Sequence, residues 1–308
     1  MPRFTLHASR FTVWKTAVII LLAVFQVSCS DPPLSPSPPL PLVDAPVRRI
    51  VSLAPSVTEI LFELGLGEKV VGVTRYCDYP PEAKSREKVG GYLDVNYEAV
   101  VALQPDLVIH ITQHEEARDR LHELGIATLA VDHSRVDGIV NSINSIGKAC
   151  GVAAVSRAYV KDLKARLSRV VSGYNFNFTP RVLVAVGRSL EPGASGEIYV
   201  SGRDGFYDDL IRLAGGENAY SDETLKFPAL SAEGIARIDP DVILEMIPDL
   251  GPDEDMPALL SRWNDIPGLR AARTGRIYIL GEDYVVIPGP RFVTLLEEMT
   301  ALIHNEPK

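Results

Sequence analysis

Three histidines of this chain lie at or just after the ends of predicted strands, and imidazole is a common metal ligand. His110 ends a strand and His114 begins the next helix, while His133 follows Asp132 at the end of another strand. Imidazoles at such positions, beside a carboxylate, could bind zinc, iron or haem. The sequence has no pair of histidines spaced along one helical face, so an ordinary loop or surface role is the alternative. His110 and His114 are therefore the candidate metal ligands of the sequence.

Two glutamates, Glu98 and Glu233, occupy the same place in two copies of a short pattern. Residues 96–109 read NYEAVVALQPDLVI and residues 231–244 read SAEGIARIDPDVIL. Each copy predicts a polar cap, a short amphipathic helix, a Pro-Asp turn and a buried strand. The repeat predicts two similar lobes that each present one glutamate, which suits a ligand between the lobes and a two-fold partner. For either glutamate alone, the alternative is stabilisation of the helix dipole by about 0.3–1 kcal/mol.

The motifs of common enzymes are missing from the sequence. No Gly-x-Ser-x-Gly elbow follows a predicted strand, and neither a Walker lysine nor a dinucleotide fingerprint is present. Glu59 and Glu63 share one face of a predicted helix, and without a partner acid we interpret them as solvated surface residues. We therefore expect a binding protein and not an enzyme.

The elements that must position these residues alternate between strands and helices. Strands are predicted at 49–53, 69–73 and 127–131, and helices at 56–64, 113–124 and 137–149, with the helix and strand of the first repeat copy among them. Ser56 or Thr58 is the predicted cap of the first helix. This alternation predicts a parallel sheet covered on both faces.

A helix of roughly 20 residues, about 30 Å long, separates the two copies of the repeat. A second α/β unit follows, with a strand at 181–186, a helix at 205–214, the second repeat copy, a strand at 276–280 and a last helix from about Arg291. The predicted fold is α/β, with two Rossmann-like lobes at 47–151 and 175–308. A single long helix at 152–174 joins them, and a ligand cleft lies between them.

The first 46 residues are predicted to be a targeting segment and a tether. A basic start, an apolar run too short to span a bilayer comfortably and small residues before Cys29 are typical of a secretory signal at 1–28. A retained membrane anchor is the alternative. Residues 29–46 are rich in proline, which favours an extended, semi-rigid tether.

Charge and cysteine content limit the partners. Removal of residues 1–28 takes away three basic residues and leaves 28 basic against 40 acidic residues, a net charge of −12. Nucleic acid is not expected as a partner, because phosphate neutralisation needs an excess of basic residues. Cys77 and Cys150 could form a disulfide in an oxidising compartment, and the sequence leaves this open.

Several stretches resemble the substrate-binding proteins of bacterial ABC importers whose lobes are joined by one long helix. They are IVSLAPSVTE at 50–59, LG at 64–65 with VGV at 71–73, QPDLVI at 104–109 and AGGEN at 214–218. This class serves cobalamin, haem and iron–siderophore complexes, and the loop at 76–81 looks most like the cobalamin-binding member. The resemblance implies capture of a metal chelate, most simply a corrinoid, outside the inner membrane, with no cofactor and no reaction. It also implies a monomer that delivers its ligand to a dimeric permease with ATPase subunits.

The resemblance also implies site residues. Those expected to contact the ligand are Tyr76, Tyr92, Tyr199, Phe227, Asp283 and Tyr284. Glu98 and Glu233 are expected to dock onto arginines of the permease. The segment before Cys29 separately resembles a bacterial lipoprotein signal, which implies that Cys29 receives lipid, although Gln26 departs from the aliphatic residue preferred at that position.

Two positions depart from the cobalamin-binding member. Ile111 stands where that member has an aromatic residue, and Ile287 where it has a cleft arginine. A less aromatic and less basic cleft keeps a haem or iron–siderophore receptor as the alternative. A free metal-ion receptor that uses His110 and His114 is a further one.

Overall fold

A computed structural model describes residues 46–173, 178–188, 197–222, 224–251 and 253–305. The predicted signal peptide, Cys29 and the tether up to residue 45 lie outside the described residues. From residue 46 onward the described chain belongs to one compact unit, which contains both predicted lobes. Within the described residues, no helix combines the length and the apolar character needed to cross a membrane.

The N-terminal lobe is built on a five-stranded parallel sheet. Its strands are β1 (Ile50–Ser52), β2 (Val70–Val73), β3 (Glu87–Lys88), β4 (Leu107–Ile111) and β5 (Thr128–Val131), in the order β3-β2-β1-β4-β5. Its helices are α1 (Pro55–Glu63), α2 (Tyr97–Ala102), α3 (Glu115–Glu123) and α4 (Val136–Ala149). The predicted parallel sheet is confirmed for this lobe.

Helix α5 (Ala153–Gly173) connects the two lobes, as the sequence predicts. Its 21 residues give a length of about 30 Å at 1.5 Å per residue. It packs against α4 and against the last helix of the chain, α10 (Phe292–Ile303). Arg166 of α5 donates to Glu297 of α10 from Nε at 2.8 Å, which fixes α5 to the C-terminal lobe.

The C-terminal lobe contains a mixed sheet. Its strands are β6 (Arg181–Arg188), β7 (Ile198–Val200), β8 (Glu217–Asn218), β9 (Ala229–Leu230), β10 (Val242–Met246) and β11 (Ile277–Leu280), in the order β11-β10-β6-β7-β9, with β8 paired to β6. The other helices are α6 (Phe206–Leu213), α7 (Ala232–Ile238), α8 (Met256–Asn264) and α9 (Arg270–Arg273). Strand β7 runs antiparallel to both β6 and β9, so this sheet is not purely parallel.

The repeat has a structural basis in the aspartate that follows its proline. Asp106 accepts the backbone N–H of Arg49 at 2.8 Å, and Asp241 accepts the backbone N–H of Arg181 at 2.9 Å. Asp106 therefore holds the start of the central strand β1 beside β4, and Asp241 holds the start of the central strand β6 beside β10. Gln104 and Asp239, two residues before each aspartate, both have φ of 45°. The two copies thus share one turn geometry.

Alternating strand residues cover both faces of each sheet with apolar side chains. In the N-terminal lobe Ile109 joins a core that continues through Leu163 of α5 to Leu295 of α10, and Val108 faces a separate cluster under α2 and α3. In the other lobe, Leu183 and Trp263 belong to a third cluster on the outer face. One continuous core therefore runs through both lobes and α5.

The first helix begins earlier than predicted. Its N-cap is Ala54, with Pro55 in the first turn, and no side chain caps it. Pro55 suits that position because a first-turn residue needs no N–H donor. Thr58 instead donates its hydroxyl to Ser52 Oγ at 2.8 Å. The prediction that Ser56 or Thr58 caps this helix is therefore wrong.

The two cysteines of the globular part are both buried and unpaired with each other. Cys77 Sγ lies 3.1 Å from Thr74 Oγ1. Burial raises the pKa of both thiols, that of Cys150 to about 11. Both are therefore protonated packing residues at neutral pH.

Candidate functional site

A cavity of about 690 Å³ lies between the two lobes, where strands of both sheets end. On the N-terminal side, Ile111 ends β4 and His133 follows β5. On the C-terminal side, Ser201 follows β7 and Pro248 follows β10. The carboxyl ends of strands in α/β proteins are the usual place for a ligand. This cavity, called the cleft below, is the candidate ligand site.

Exposed aromatic rings stand along both walls of the cleft. Tyr76 and Tyr92 come from the N-terminal lobe, with 53% and 40% of their surface exposed, and Phe227 comes from the C-terminal lobe, with 55% exposed. The rings of Tyr92 and His114 form a T-shaped contact at a centroid distance of 4.6 Å, so His114 packs against Tyr92. Exposed rings on opposite walls can stack on a large flat ligand.

The structure brings together some of the predicted ligand residues and not others. Tyr76, Tyr92, Phe227 and Asp283 line the cleft, and Tyr199 and Tyr284 are not among its lining residues. Tyr199 occupies the middle of β7, where alternation buries Ile198 and Val200 and turns Tyr199 outward. Tyr284 donates its hydroxyl to Glu298 of α10 at 2.5 Å. Contact of any of the six with a ligand stays a prediction.

The apolar part of the cleft surface, called the floor below, is aliphatic at the two positions where the resemblance implies a ring and an arginine in the cobalamin-binding member. Ile111 and Ile287 both line the cleft, and Val186 and Val286 extend the apolar surface. Tyr207 is a buried residue that also lines the cleft, and it donates its hydroxyl to the carbonyl oxygen of Val285 at 2.7 Å. A ligand would therefore meet hydrocarbon at the floor and rings at the sides.

Acidic groups outnumber basic groups on the cleft surface. Among the described residues that line it, four are carboxylates and one is a cation; these are Glu59, Asp78, Asp249, Asp283 and Lys226. Arg291 lies behind this surface with 15% of its side chain exposed. The charge offered directly to a ligand is therefore mainly negative.

Glu59 is a cleft residue, and its interpretation as solvated surface was wrong. Its side chain is 1% exposed and accepts two hydrogen bonds from Arg291, at 2.7 and 3.1 Å. Burial raises the pKa of Glu59 to about 7, although the bonds from Arg291 act in the opposite direction. The hydrogen bonds from Arg291 hold the pKa of Asp283 below its usual value. The partner of Glu59 lies 232 residues away, so no local pattern could have revealed it.

His133 lines the cleft as a buried, neutral imidazole. It is 3% exposed, and its Nδ1 lies 2.8 Å from Ser56 Oγ. Within the described part of the chain its Nε2 has no hydrogen-bond partner. Burial lowers the pKa of His133 to about 4, so the ring carries no charge at neutral pH.

The two tentative metal ligands do not line the cleft. His110 is 1% exposed within β4, with Nδ1 2.9 Å from the carbonyl oxygen of Ile111, and His114 is 4% exposed just before α3. Burial lowers the pKa of both imidazoles, that of His114 to about 4. The described residues contain no group of three or more His, Cys, Asp or Glu that could hold a metal ion. Nothing in the described geometry therefore favours these two histidines as a metal site.

Glu98 and Glu233 occupy equivalent, exposed places in the two lobes. Asn96 caps α2 by accepting the N–H of Ala99 at 3.0 Å, and Ser231 caps α7 by accepting that of Gly234 at 3.2 Å. Each glutamate is exposed in the first turn of its helix, as predicted. Neither carboxylate has an ion-pair partner among the described residues. Their role in docking stays a prediction.

Two α/β lobes, one long connecting helix and a cleft at the strand ends define a two-lobed ligand-binding protein. The chain belongs to the periplasmic binding protein family, which it matches over residues 50–284.

Relatives in this family carry different ligands. The chain is 32% identical to an uncharacterized ABC transporter substrate-binding lipoprotein, YvrC, of Bacillus subtilis, over 84% of this chain and 81% of that protein. It resembles the periplasmic vitamin B12 binding protein BtuF of Vibrio cholerae, with 25% identity, a TM-score of 0.72 and coverage of 84% and 97% of the two chains. It also resembles the periplasmic haem-binding protein RhuT of Roseiflexus, with 27% identity, a TM-score of 0.70 and coverage of 84% and 98%. The last two relatives are named for vitamin B12 and for haem, so the choice between ligands rests on the chemistry of the cleft.

Proposed function

We propose that this chain is the extracytoplasmic substrate-binding protein of an ABC importer and that its ligand is cobalamin or a related corrinoid. The observation that carries the proposal is the cleft, with exposed rings on two walls, an aliphatic floor and carboxylates at its surface. Its volume of about 690 Å³ is within the usual range for a ligand pocket.

A corrinoid is a large ring with an apolar face and many amides at its edge. Tyr76 and Phe227 supply rings on opposite sides of the cleft that can stack on such a face. Asp78 and Asp283 supply carboxylate oxygens that can accept amide N–H groups. Each part of the ligand therefore has a chemical match on the cleft surface.

Haem and the ferric siderophores that carry carboxylates or catecholates match this surface less well. Their negative charges would face Asp78, Asp249 and Asp283, with Lys226 as the single cation among the described residues that line the cleft. Like charges at short range are unfavourable, and more so away from bulk water. The charge distribution therefore favours the corrinoid over the two alternatives of the same class.

Docking and anchoring complete the proposed role. Glu98 and Glu233, one on each lobe, would meet arginines of a dimeric permease, each exposed pair contributing about 0.2–1 kcal/mol. Such pairs set orientation and encounter more than affinity. Lipid on Cys29 and the proline-rich tether would hold the protein at the membrane, and the similarity to a named lipoprotein supports this.

Calorimetric titration of the full-length protein with cyanocobalamin tests the proposal. We expect one-to-one binding that Phe227→Ala weakens about tenfold, or about 1.4 kcal/mol, because stacking and apolar burial are lost. Phe178→Ala is the matched control, since Phe178 is 60% exposed but does not line the cleft. Absence of cyanocobalamin binding, or equal effects of the two substitutions, would contradict the proposal.

A further inference from the structure

One ion cluster joins the two lobes at the cleft wall. Arg291, which precedes α10 in the C-terminal lobe, donates to Glu59 of α1 in the N-terminal lobe from Nε at 3.1 Å and from Nη2 at 2.7 Å. It also donates to Asp283 from Nη1 at 2.7 Å and from Nη2 at 2.8 Å. Both carboxylates line the cleft, and the guanidinium stands behind them.

The hydrogen-bonding capacity of Arg291 is nearly used up within this cluster. A guanidinium has five N–H donors, and four of these are engaged, one from Nε, one from Nη1 and two from Nη2. The Tyr79 ring centroid lies 3.8 Å from the central carbon of the guanidinium, and that of Tyr284 lies 5.2 Å from it. Carboxylates therefore occupy the edge of the guanidinium, and tyrosine rings lie next to it.

Asp283 is the group that stands between Arg291 and the cleft. Its side chain is 34% exposed, against 15% for Arg291 and 1% for Glu59. An anion that entered the cleft would meet the Asp283 carboxylate first. To reach the arginine it would have to displace a bidentate partner, and such pairs are among the strongest hydrogen-bonded contacts.

We infer that Asp283, with Glu59 behind it, is a specificity determinant that withholds Arg291 from the ligand and so selects against chelates with peripheral carboxylates. This inference rests on the proposed function and names the part of the cleft that separates amide-bearing from carboxylate-bearing ligands. Neutral amides can donate to Asp283, whereas carboxylates are repelled by it and find no arginine among the described residues that line the cleft. The same arginine would become an anion-binding group if Asp283 lost its charge.

The test uses two ligands that differ by a single group. Cyanocobalamin is compared with its monocarboxylic acids, in which one propionamide is hydrolysed, by calorimetric titration of the full-length protein. We expect the wild type to bind at least one of the acids at least tenfold more weakly than cyanocobalamin. Asp283→Asn should reduce that ratio at least tenfold, because the guanidinium edge becomes available to the carboxylate.

Asp249→Asn is the matched control. It removes one carboxylate from the same cleft, and Asp249 has no ion-pair partner among the described residues. If Asp249→Asn changes the ratio as much as Asp283→Asn, the effect is general electrostatics and the inference is wrong. The double variant Asp283→Asn/Arg291→Gln removes the available guanidinium and should raise the ratio again above that of Asp283→Asn, and a ratio as low as that of the single variant would also overturn the inference.

A measurement on the wild type covers the case in which a variant fails to fold. Raising the salt concentration from 50 to 500 mM screens charge, so binding of the monocarboxylic acids should become tighter relative to cyanocobalamin. Weaker relative binding at high salt would mean that the cleft attracts anions, which overturns the inference. Failure of the proposed function has a different signature, namely no binding of cyanocobalamin under any of these conditions.

Discussion

Acidification should destabilise this protein through His133, whose ring is buried in the cleft wall without a charge. Burial lowers the pKa of His133 from 6.5 to about 4. Between pH 6.5 and about pH 4, the unfolded chain therefore binds a proton that the folded chain does not. Stability due to this residue is therefore present at pH 7 and is lost as the pH falls. The two pKa values give a loss of about 2 kcal/mol between pH 7 and pH 5.

Urea denaturation at pH 7 and pH 5 measures this loss. We expect the wild type to lose about 2 kcal/mol more between the two pH values than His133→Asn, which keeps a polar group beside Ser56 but does not titrate. His122→Asn serves as a control at an exposed position on α3 and should keep the wild-type difference. The reasoning is refuted if the losses of the wild type and of His133→Asn between pH 7 and pH 5 differ by less than about 0.5 kcal/mol, a quarter of the expected difference.

Three further predictions follow from the charged groups. Burial raises the pKa of Glu59 to about 7, so the folded chain holds a proton on this carboxyl that the unfolded chain gives up as the pH rises. The unfolding free energy of the wild type minus that of Glu59→Gln should therefore fall between pH 5 and pH 7. A constant difference in urea denaturation would contradict this. Arg135 donates to Asp209 across the lobes at 2.6 and 3.0 Å, so Arg135→Ala should lower the unfolding free energy by about 1 kcal/mol. Arg118→Ala removes an exposed pair within α3 and should change the unfolding free energy by less than about 0.5 kcal/mol. Equal effects of the two substitutions in urea denaturation would show that the interlobe pair stabilises no more than an exposed pair does. The double variant Glu98→Ala/Glu233→Ala should lower ligand uptake by the importer and leave the affinity for cyanocobalamin unchanged. Glu254→Ala is the control and should alter neither quantity. Undiminished uptake by the double variant would exclude the docking role.

The periodic elements of this fold were predictable because their apolar spacing is strong. The predicted connecting helix, residues 152–174, extends one residue beyond α5 at each end, and the repeat correctly placed α2 and α7 with Asn96 and Ser231 as caps. Strands β7 and β9, with three and two residues, are too short to show a period, so the antiparallel part of the second sheet was not predicted.

The candidate site was predictable only in part, because side chains meet there from distant parts of the chain. Tyr76 lies in the loop that follows β2, a position that favours a cleft residue in α/β proteins, whereas Phe227 lies just before β9. Glu59 lies on the buried side of α1, and its partner Arg291 lies near the other end of the chain. Tyr199 shows the reverse case, since the alternation within a short strand turns its ring away from the cleft.

The most direct test of the proposed function is a competition measurement on the full-length protein. Cyanocobalamin, haemin and a ferric catecholate siderophore are titrated separately and then against one another by equilibrium dialysis. The proposed function predicts that cyanocobalamin binds one-to-one and at least tenfold more tightly than either anionic chelate. Tighter binding of haemin or of the siderophore would contradict the corrinoid assignment.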